Sequence, residues 1–258
     1  MRSLPRFCYN YLSSLFYEKI GKSEKWLLGN KNKYQGQTCF IFGNGPSLND
    51  FEFEQIKQYK TFGTNGIFLT FTPNFYVSIS LEFYLNHINS IQNLSCERKF
   101  IGPHLKASFP GLEASVLKNG ICMYGSFCGF NFPVPVRFSK NADKLVYYGG
   151  SVIFVCLQLA YFMGFQRVIL AGVDHRFGFD RSQAKYGGKR ISVVGSDKIH
   201  FDPNYSPNGH SMHCDMIATE RSFKLALDVF IKDKREIWNV TPDTGLDIIP
   251  CANLDDLI

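Results

Sequence analysis

Short apolar runs that end near glycine alternate along the chain with stretches of helical spacing. The clearest run covers 38–42 and breaks at Gly43, and a stretch compatible with a helix follows over 50–59. A second unit, 60–65, ends at an Asn-Gly turn, and an apolar run over 75–80 is a further strand candidate. Because strands joined by helical or loop crossovers form parallel sheets, this pattern predicts an α/β domain.

The second half of the chain repeats this alternation more clearly. Helical spacing over 152–163 is followed by Gly164, a typical helix C-cap, and then by an apolar run over 167–172. A further helix is predicted over 216–231 and a last strand over 236–240. The predicted fold class is therefore α/β, with a Rossmann-like, doubly wound and mostly parallel sheet.

The chain is predicted to have two parts. Residues 1–35 form an N-terminal helical extension in which apolar positions recur among basic ones. Such a segment, over residues 1–30, can lie on an anionic membrane surface or pack on the domain or on another subunit, and both readings stay open. Residues 36–258 form a single domain, whose long polar stretch near 175–215 indicates a mobile loop over a ligand. Residues 86–146 predict no clear element.

Composition narrows the class of protein. Apolar residues make up 45% and charged residues 19% of the chain, which excludes disorder for the bulk of it. The net charge of +6 favours anionic ligands or an anionic membrane surface, but no nucleic-acid motif is present, so no nucleic-acid partner is predicted. The 8 cysteines form no CxxC pair, and neither a long apolar run nor a secretion signal occurs. These features predict reduced thiols and a cytoplasmic protein.

The glycine loop after the first strand is the first candidate site. Gly43 and Gly45 supply flexible backbone whose amides can converge on an anion, such as a nucleotide phosphate, at the start of a helix. Pro46 fixes the turn, Ser47 can cap the helix, and Asn44 offers a donor and an acceptor. The loop lacks the lysine of a P-loop and the third glycine of a dinucleotide fingerprint. A purely structural tight turn is the alternative.

Three further residues are candidates because each lies just before or after a predicted element. Gly150 and Ser151 lead into the predicted helix at 152–163. Asp174 follows the strand at 167–172, where open α/β sheets place ligand-binding groups, although a capping or loop-bracing aspartate is the alternative.

Histidines and aspartates are dense between 200 and 215. The pairs His200-x-Asp202 and His210-x-x-His213-x-Asp215 fit no metal-site spacing, so no metal ligands are predicted, and a metal site is the less favoured reading.

Three motifs together resemble one known family: the string 43–48, the turn 149–151 and the run 168–174. The chain resembles, over 38–250, the bacterial sialyltransferases of the Campylobacter lipooligosaccharide type. It also resembles their wider relatives, the motility-associated-factor and 6-hydroxymethylpterin-diphosphokinase-like proteins. The resemblance implies a GT-A-variant, sialyltransferase-like form of the predicted sheet.

The resemblance also implies roles for residues. In that family the glycine loop and a following asparagine hold a cytidine nucleotide, which nominates Asn44, Gly45, Ser47 and Asn65, with Gly43 and Pro46 in the same loop. The family's Gly-His-Ser histidine is the general base, and here it corresponds to His210. Its leaving phosphate is held by tyrosines after the Gly-x-Asp strand end, where this chain offers Arg176 and, further on, Tyr186 or Tyr205.

The resemblance therefore implies an inverting glycosyltransferase that needs no metal or other cofactor. Its donor would be a nucleotide-activated sugar, a CMP-linked sialic or other nonulosonic acid first of all. Its acceptor would be a cell-surface glycan or a lipid-linked glycan, reached in the cytoplasm at the inner face of the membrane. A homo-oligomer stays open. The alternatives are a Mg²⁺-dependent pyrophosphokinase of the 6-hydroxymethylpterin type, using Asp174, Asp202 and Asp215, and a non-catalytic nucleotide-binding module.

Overall fold

The computed structural model describes residues 24–102, 120–122, 125–126, 136–177, 189–193, 199–205 and 210–258. For 81–82, 120–122, 125–126, 189–193 and 210–214 only the backbone is described. Residues 1–23 of the predicted N-terminal segment and Tyr186 lie outside the described residues, and for His210 only the backbone is available.

A parallel sheet of seven strands forms the centre of the described structure. In chain order the strands of this sheet are β1 (Thr38–Phe42), β2 (Lys60–Thr64), β3 (Phe75–Ser78), β4 (Arg98–Ile101), β5 (Gly120–Cys122), β8 (Arg167–Ala171) and β11 (Glu236–Asn239). Their order across the sheet is β5-β4-β3-β2-β1-β8-β11, and every neighbouring pair is parallel. The predicted α/β class with a Rossmann-like parallel sheet is confirmed.

Two small pairs of strands accompany the sheet. β6 (Gly125–Ser126) pairs with β7 (Val146–Tyr147) in parallel, and β9 (Lys189–Val193) pairs with β10 (His210–Cys214) in an antiparallel ribbon. The ribbon lies within the stretch 175–215, where the sequence predicts a mobile loop.

Five α-helices are described: α1 (Lys25–Gly29), α2 (Leu81–Asn86), α3 (Ile88–Asn93), α4 (Val152–Met163) and α5 (Met216–Lys232). They cover both faces of the sheet. Alternate residues of each strand therefore pack into different cores. On β1, Cys39 and Ile41 pack into the core that contains α4 and α5, whereas Phe40 and Phe42 pack into the core on the α2 and α3 side.

Local signals explain the helix α4. The Ser151 side chain accepts a hydrogen bond from the Ile153 amide at the start, and Gly164 closes the end with a left-handed φ of 97°. Residues 153–163 are all buried, which fits a helix packed against the sheet on one side and α5 on the other. The predicted bounds of this helix, 152–163, are confirmed.

The stretch after the glycine loop differs from the prediction of a helix over 50–59. Two short 3₁₀ helices, Pro46–Asp50 and Phe53–Ile56, occupy it instead. The rings of Phe51 and Phe53 both pack on Phe42, at centroid distances of 5.2 and 5.3 Å. These aromatic contacts hold the chain against the sheet, where a regular helical spiral would carry one of the two rings away from it.

The described part of the N-terminal segment packs on the domain. Leu27 of α1 and Tyr34 are buried in the core, and Trp26 packs edge-on against Phe75 and Phe100. Residues 24–35 are thus held by the same core as the sheet. No helix in the described part of the chain combines the length and apolar character needed to cross a bilayer.

Burial controls the chemistry of two cysteines. Cys39 of β1 and Cys156 of α4 are fully buried free thiols, and burial raises the pKa of both well above the ordinary value for cysteine. They stay protonated at neutral pH, and the thiol form is a poor nucleophile.

A buried amide links α4 to the chain that precedes it. The Gln158 Oε1 accepts the amides of Ser139 and Tyr147, both at 3.0 Å, and its Nε2 donates to the carbonyls of Tyr147 and Phe154 at 2.7 and 2.9 Å. The side chain therefore satisfies backbone groups that have no access to water.

The substitution Gln158→Leu should leave two buried amides without an acceptor and lower the free energy of unfolding by about 2 to 4 kcal/mol. Denaturant unfolding followed by circular dichroism measures this. The exposed Gln58 provides the control, since Gln58→Leu should change the same quantity by less than about 0.5 kcal/mol. Equal stability of the two variants would contradict the role given to Gln158.

Candidate functional site

The strand order creates a switch point between β1 and β8. From β1 the chain builds the sheet in one direction through β2 to β5, and it then returns to add β8 on the other side of β1. In open parallel sheets the loops at such a point diverge and leave a crevice at the carboxyl ends of the strands. Asn44 follows β1 and Asp174 follows β8, so two of the predicted site residues lie at this crevice.

The loops on the two sides of the switch point are bonded to each other. The amides of Gly43 and Gly45 donate to the carbonyls of Ala171 and Gly172, at 2.8 and 2.9 Å. Two of the amides expected to cradle a phosphate are therefore used within the protein.

Asp174 completes this connection. Its Oδ1 accepts the Ser47 amide at 3.2 Å, and its Oδ2 accepts the Ser47 hydroxyl at 2.7 Å. The aspartate braces the loop, as the alternative reading of the sequence proposed, and it also places a carboxylate beside the loop. A carboxylate there opposes an anion electrostatically.

The glycines of the loop are explained by close approach. A Cβ on Gly45 would lie 1.8 Å from the Asp174 Oδ2, and a Cβ on Gly43 would lie 2.1 Å from the Gly172 carbonyl oxygen. No other residue type fits between the two loops without moving one of them.

Asn44 points its amide across to β2 with a defined orientation. Its Nδ2 donates to the Thr64 Oγ1 at 2.8 Å, and the Thr64 hydroxyl donates to the Phe42 carbonyl at 2.9 Å. Since the single hydroxyl proton of Thr64 is used on Phe42, its oxygen must accept from Asn44. The amide is thereby fixed with Oδ1 on its other side.

That Asn44 Oδ1 is buried and has no hydrogen-bond partner among the described residues. A buried acceptor without a partner is costly, and in a folded protein it usually marks a place where a ligand or water donates. The switch point therefore presents a hydrogen-bond acceptor, and it suits a ligand that carries a hydroxyl or amine donor.

Asn65 stands at the end of β2 in a left-handed conformation, with φ of 41°. Its Oδ1 accepts the Ser78 hydroxyl at 3.1 Å and so joins the carboxyl ends of β2 and β3. The structure brings Asn65 to the same edge of the sheet as Asn44. Its predicted contact with a nucleotide stays a prediction.

The segment 199–205 lies over this edge. The Phe201 amide donates to the Asn44 carbonyl at 3.0 Å, and the Tyr205 ring packs on Gly66, where an added Cβ would be 2.4 Å from the ring. The His200 ring stacks on the Tyr205 ring at a centroid distance of 3.7 Å. Tyr205 is buried, with only 3% of its surface exposed, so the outer ring of the pair is that of His200.

His87, at the end of α2, anchors this segment. Its Nε2 lies 2.9 Å from the Tyr205 carbonyl, to which it donates, and its ring packs against Phe83 and Phe68. Because 118 positions separate His87 from Tyr205, no local pattern could have joined them.

The residues after Asp174 turn back onto α5 and the loop after β11. His175 has a left-handed φ of 54°, and its Nε2 lies 3.5 Å from the Glu220 Oε1. Arg176 is exposed and donates from its Nε to the Asp243 carbonyl at 3.0 Å. The guanidinium predicted to face a leaving phosphate thus stays at the solvent side of the β8 exit.

Gly150 and Ser151 serve the start of α4 in this structure. Gly150 has a φ of 88° and approaches Thr219 of α5 so closely that an added Cβ would lie 2.6 Å from the Thr219 Oγ1. Ser151 caps α4, and Asp215 caps α5 through the Ala218 amide at 2.9 Å. The nucleotide-binding role expected for Gly150 and Ser151 stays a prediction.

His210 opens β10 and pairs with Val193 of β9. The structure therefore gives the predicted base a place on the ribbon but no described side-chain geometry. Among the residues whose side chains are described, no group of three or more histidine, cysteine or acidic side chains could hold a metal ion.

A separate concave surface of about 1000 Å³ lies beside the edge strand β11. Its lining includes Trp238, Thr241, Asn253 and Leu254, and none of the predicted site residues belongs to it. Of the predicted site residues, Asn44 and Asp174 lie at the switch point instead.

Comparison with known proteins adds no family. No protein-family model matches the chain, and no curated protein matches it.

The substitution Gly45→Ala should push the Asp174 carboxylate away from Ser47 and lower the free energy of unfolding by about 1 to 3 kcal/mol. Gly29 is the matched control, because nothing lies within 4 Å of a Cβ added there, and Gly29→Ala should leave the stability unchanged or raise it by about 0.5 kcal/mol. Thermal unfolding of both variants checks this, and a Gly45→Ala variant as stable as Gly29→Ala would show that the loops are not tightly joined.

Proposed function

We propose that this protein is a glycosyltransferase that takes a sugar from a nucleotide-activated donor, with the nucleoside bound at the switch point. The observation that carries the proposal is the buried Oδ1 of Asn44 at the crevice between β1 and β8, which no described residue hydrogen-bonds. The family resemblance supports a GT-A-variant, sialyltransferase-like form of the fold and a CMP-linked donor.

The polarity of the site suits a nucleoside better than a phosphate. A nucleoside carries ribose hydroxyls, and cytosine carries an exocyclic amine, so either can donate to the Asn44 Oδ1. A phosphate at neutral pH offers mainly acceptors. The amides of Gly43, Gly45 and Ser47 are already used, and the Asp174 carboxylate lies beside the loop. These contacts support a bound nucleotide whose phosphate points away from the loop.

The phosphate then needs cationic or hydrogen-bonding groups elsewhere. Arg176 lies beyond the β8 exit, next to Asp174, and its guanidinium can match phosphate oxygens with two parallel hydrogen bonds. We assign it, with Tyr186 or Tyr205, to the leaving phosphate. Tyr205 is buried in the structure, so its contribution would come through the segment 199–205.

The transfer itself needs a base and a leaving group. In the proposed reaction, His210 takes the proton of an acceptor hydroxyl while that oxygen forms a bond to the anomeric carbon of the sugar. The bond from the anomeric carbon to the phosphate oxygen breaks, and the nucleotide leaves with the electron pair. Attack opposite to the leaving group inverts the anomeric centre.

The proposed acceptor is a cell-surface glycan or its lipid-linked precursor. The basic residues of the N-terminal segment support contact with the anionic inner face of the membrane. Deletion of residues 1–23, which keeps Trp26 and Leu27 in the core, should then release the protein from membranes while nucleotide binding is kept.

The first test is thermal unfolding in the presence of CMP, CDP, UDP, GDP, ADP and ATP, each with EDTA and with Mg²⁺. A ligand that binds only the folded protein raises its melting temperature. We expect CMP or another nucleotide product of a sugar donor to raise it in EDTA. A rise with ATP and Mg²⁺ alone would favour the pyrophosphokinase alternative, and no rise with any nucleotide would contradict the proposal.

Two variants connect this binding to the site. Asn44→Ala should weaken nucleotide binding about 5- to 30-fold, because it removes the acceptor, whereas the exposed Asn89→Ala control should bind as the wild type does. His210→Ala should bind nucleotide normally and lose glycan transfer. Unchanged transfer by His210→Ala would instead indicate another base, whereas a wild type that binds nucleotide without any transfer would favour the non-catalytic module.

A further inference from the structure

The rings of His200 and Tyr205 form a two-layer stack at the carboxyl edge of the sheet. Their planes differ by only 5° and their centroids are 3.7 Å apart. A turn brings them together, because the Asn204 amide donates to the Asp202 Oδ1 at 2.6 Å and the Tyr205 amide donates to the Asp202 carbonyl at 3.0 Å.

The inner ring of the stack is held from several sides. Tyr205 packs on Gly66, lies 4.9 Å from the ring of Phe83, and is tied at its carbonyl to His87. The outer ring is different, since His200 is only half-buried. A ligand that reaches this stack therefore meets the imidazole, supported from below by a fixed tyrosine.

The stack borders the acceptor of Asn44. The position that a Cβ on Gly66 would occupy is 2.4 Å from the Tyr205 ring and 3.4 Å from the Asn44 Oδ1. In addition, Phe201, the neighbour of His200, is bonded through its amide to the Asn44 carbonyl. The inner ring of the stack and the Asn44 acceptor thus both lie next to Gly66.

We propose that the His200 and Tyr205 stack is the platform on which the nucleobase of the ligand lies, while the Asn44 Oδ1 accepts a hydrogen bond from the same nucleoside. This inference rests on the proposed nucleotide binding and adds the residues that recognise the base. Every base has an aromatic face that can stack on a histidine or tyrosine ring, and the coplanar pair offers such a face. His200 is then a ligand-binding residue that acts through its ring.

The experiment compares three ligands and three variants by isothermal titration calorimetry of the full chain. The ligands are CMP, cytidine and ribose 5-phosphate, the last of which has the sugar and phosphate but no base. The wild type should bind CMP and cytidine, and ribose 5-phosphate should bind at least about tenfold more weakly.

The variants separate stacking from the polar chemistry of the imidazole. His200→Ala should weaken binding of CMP about tenfold, whereas His200→Phe, which keeps a flat ring, should bind CMP within about threefold of the wild type. Asn89→Ala, at an exposed position outside the site, is the control and should bind as the wild type does. Melting temperatures near that of the wild type show that each variant is folded.

The outcomes distinguish this inference from the proposed function. A wild type that binds neither CMP nor any other nucleotide contradicts the proposed function itself. A wild type that binds CMP while His200→Ala binds it equally well overturns the platform alone. Weak binding by His200→Phe as well as by His200→Ala also overturns it, because the imidazole nitrogens would then be what the ligand needs. If His200→Ala does not fold, the His200→Phe and ribose 5-phosphate results still decide.

Discussion

The contact between the two loops at the switch point is the constraint on which the rest of the site depends. The amides of Gly43 and Gly45 continue the hydrogen bonding between β1 and β8 past the ends of the strands, and Ser47 locks the arrangement onto Asp174. In many parallel sheets the loops separate at this point. Here hydrogen bonds join the two loops on both sides of Asn44. The direction of the Asn44 side chain follows from these bonds.

This constraint changes what the glycine loop can do. Glycine-containing loops that follow a strand are typical of phosphate-binding sites, where free amides point at the ligand. In this protein the amides are bonded internally, a 3₁₀ helix of five residues follows the loop, and a carboxylate stands beside it. The site instead presents a side-chain acceptor, oriented by the relay from Asn44 through Thr64 to the Phe42 carbonyl. A polar, uncharged part of a ligand suits that surface better than a phosphate does.

Most strands of the sheet and the helix α4 could be predicted from the sequence. The strands β1, β2, β3, β8 and β11 could be predicted to within two residues at their ends. Continuous apolar stretches, which buried parallel strands need, mark β1, β3 and β8. β2 lacks one, and the turn at Asn65 and Gly66 marks its end. The helix α4 was predictable at both ends, since Ser151 and Gly164 act through local backbone geometry. The structure around 50–59 was not, because the contacts of Phe51 and Phe53 with Phe42 override a weak helical preference.

The candidate site was predictable only in part. Asn44 and Asp174 could be found because each follows a strand that the pattern reveals, whereas Asn65 was a candidate only through the family resemblance. His87 and His200 could not be placed, since their roles come from contacts between segments far apart in the chain, such as that of His87 with the Tyr205 carbonyl. The use of the loop amides was equally hidden, because it depends on the distance between two loops rather than on either loop alone.

The most direct measurement is a crystal structure of the protein with CMP bound. We expect a ribose hydroxyl or the cytosine amine within hydrogen-bonding distance of the Asn44 Oδ1, at about 2.7 to 3.2 Å. The phosphate should be directed away from Gly45. A nucleotide whose phosphate sits on the glycine loop, or one bound in the cavity beside β11, would contradict it.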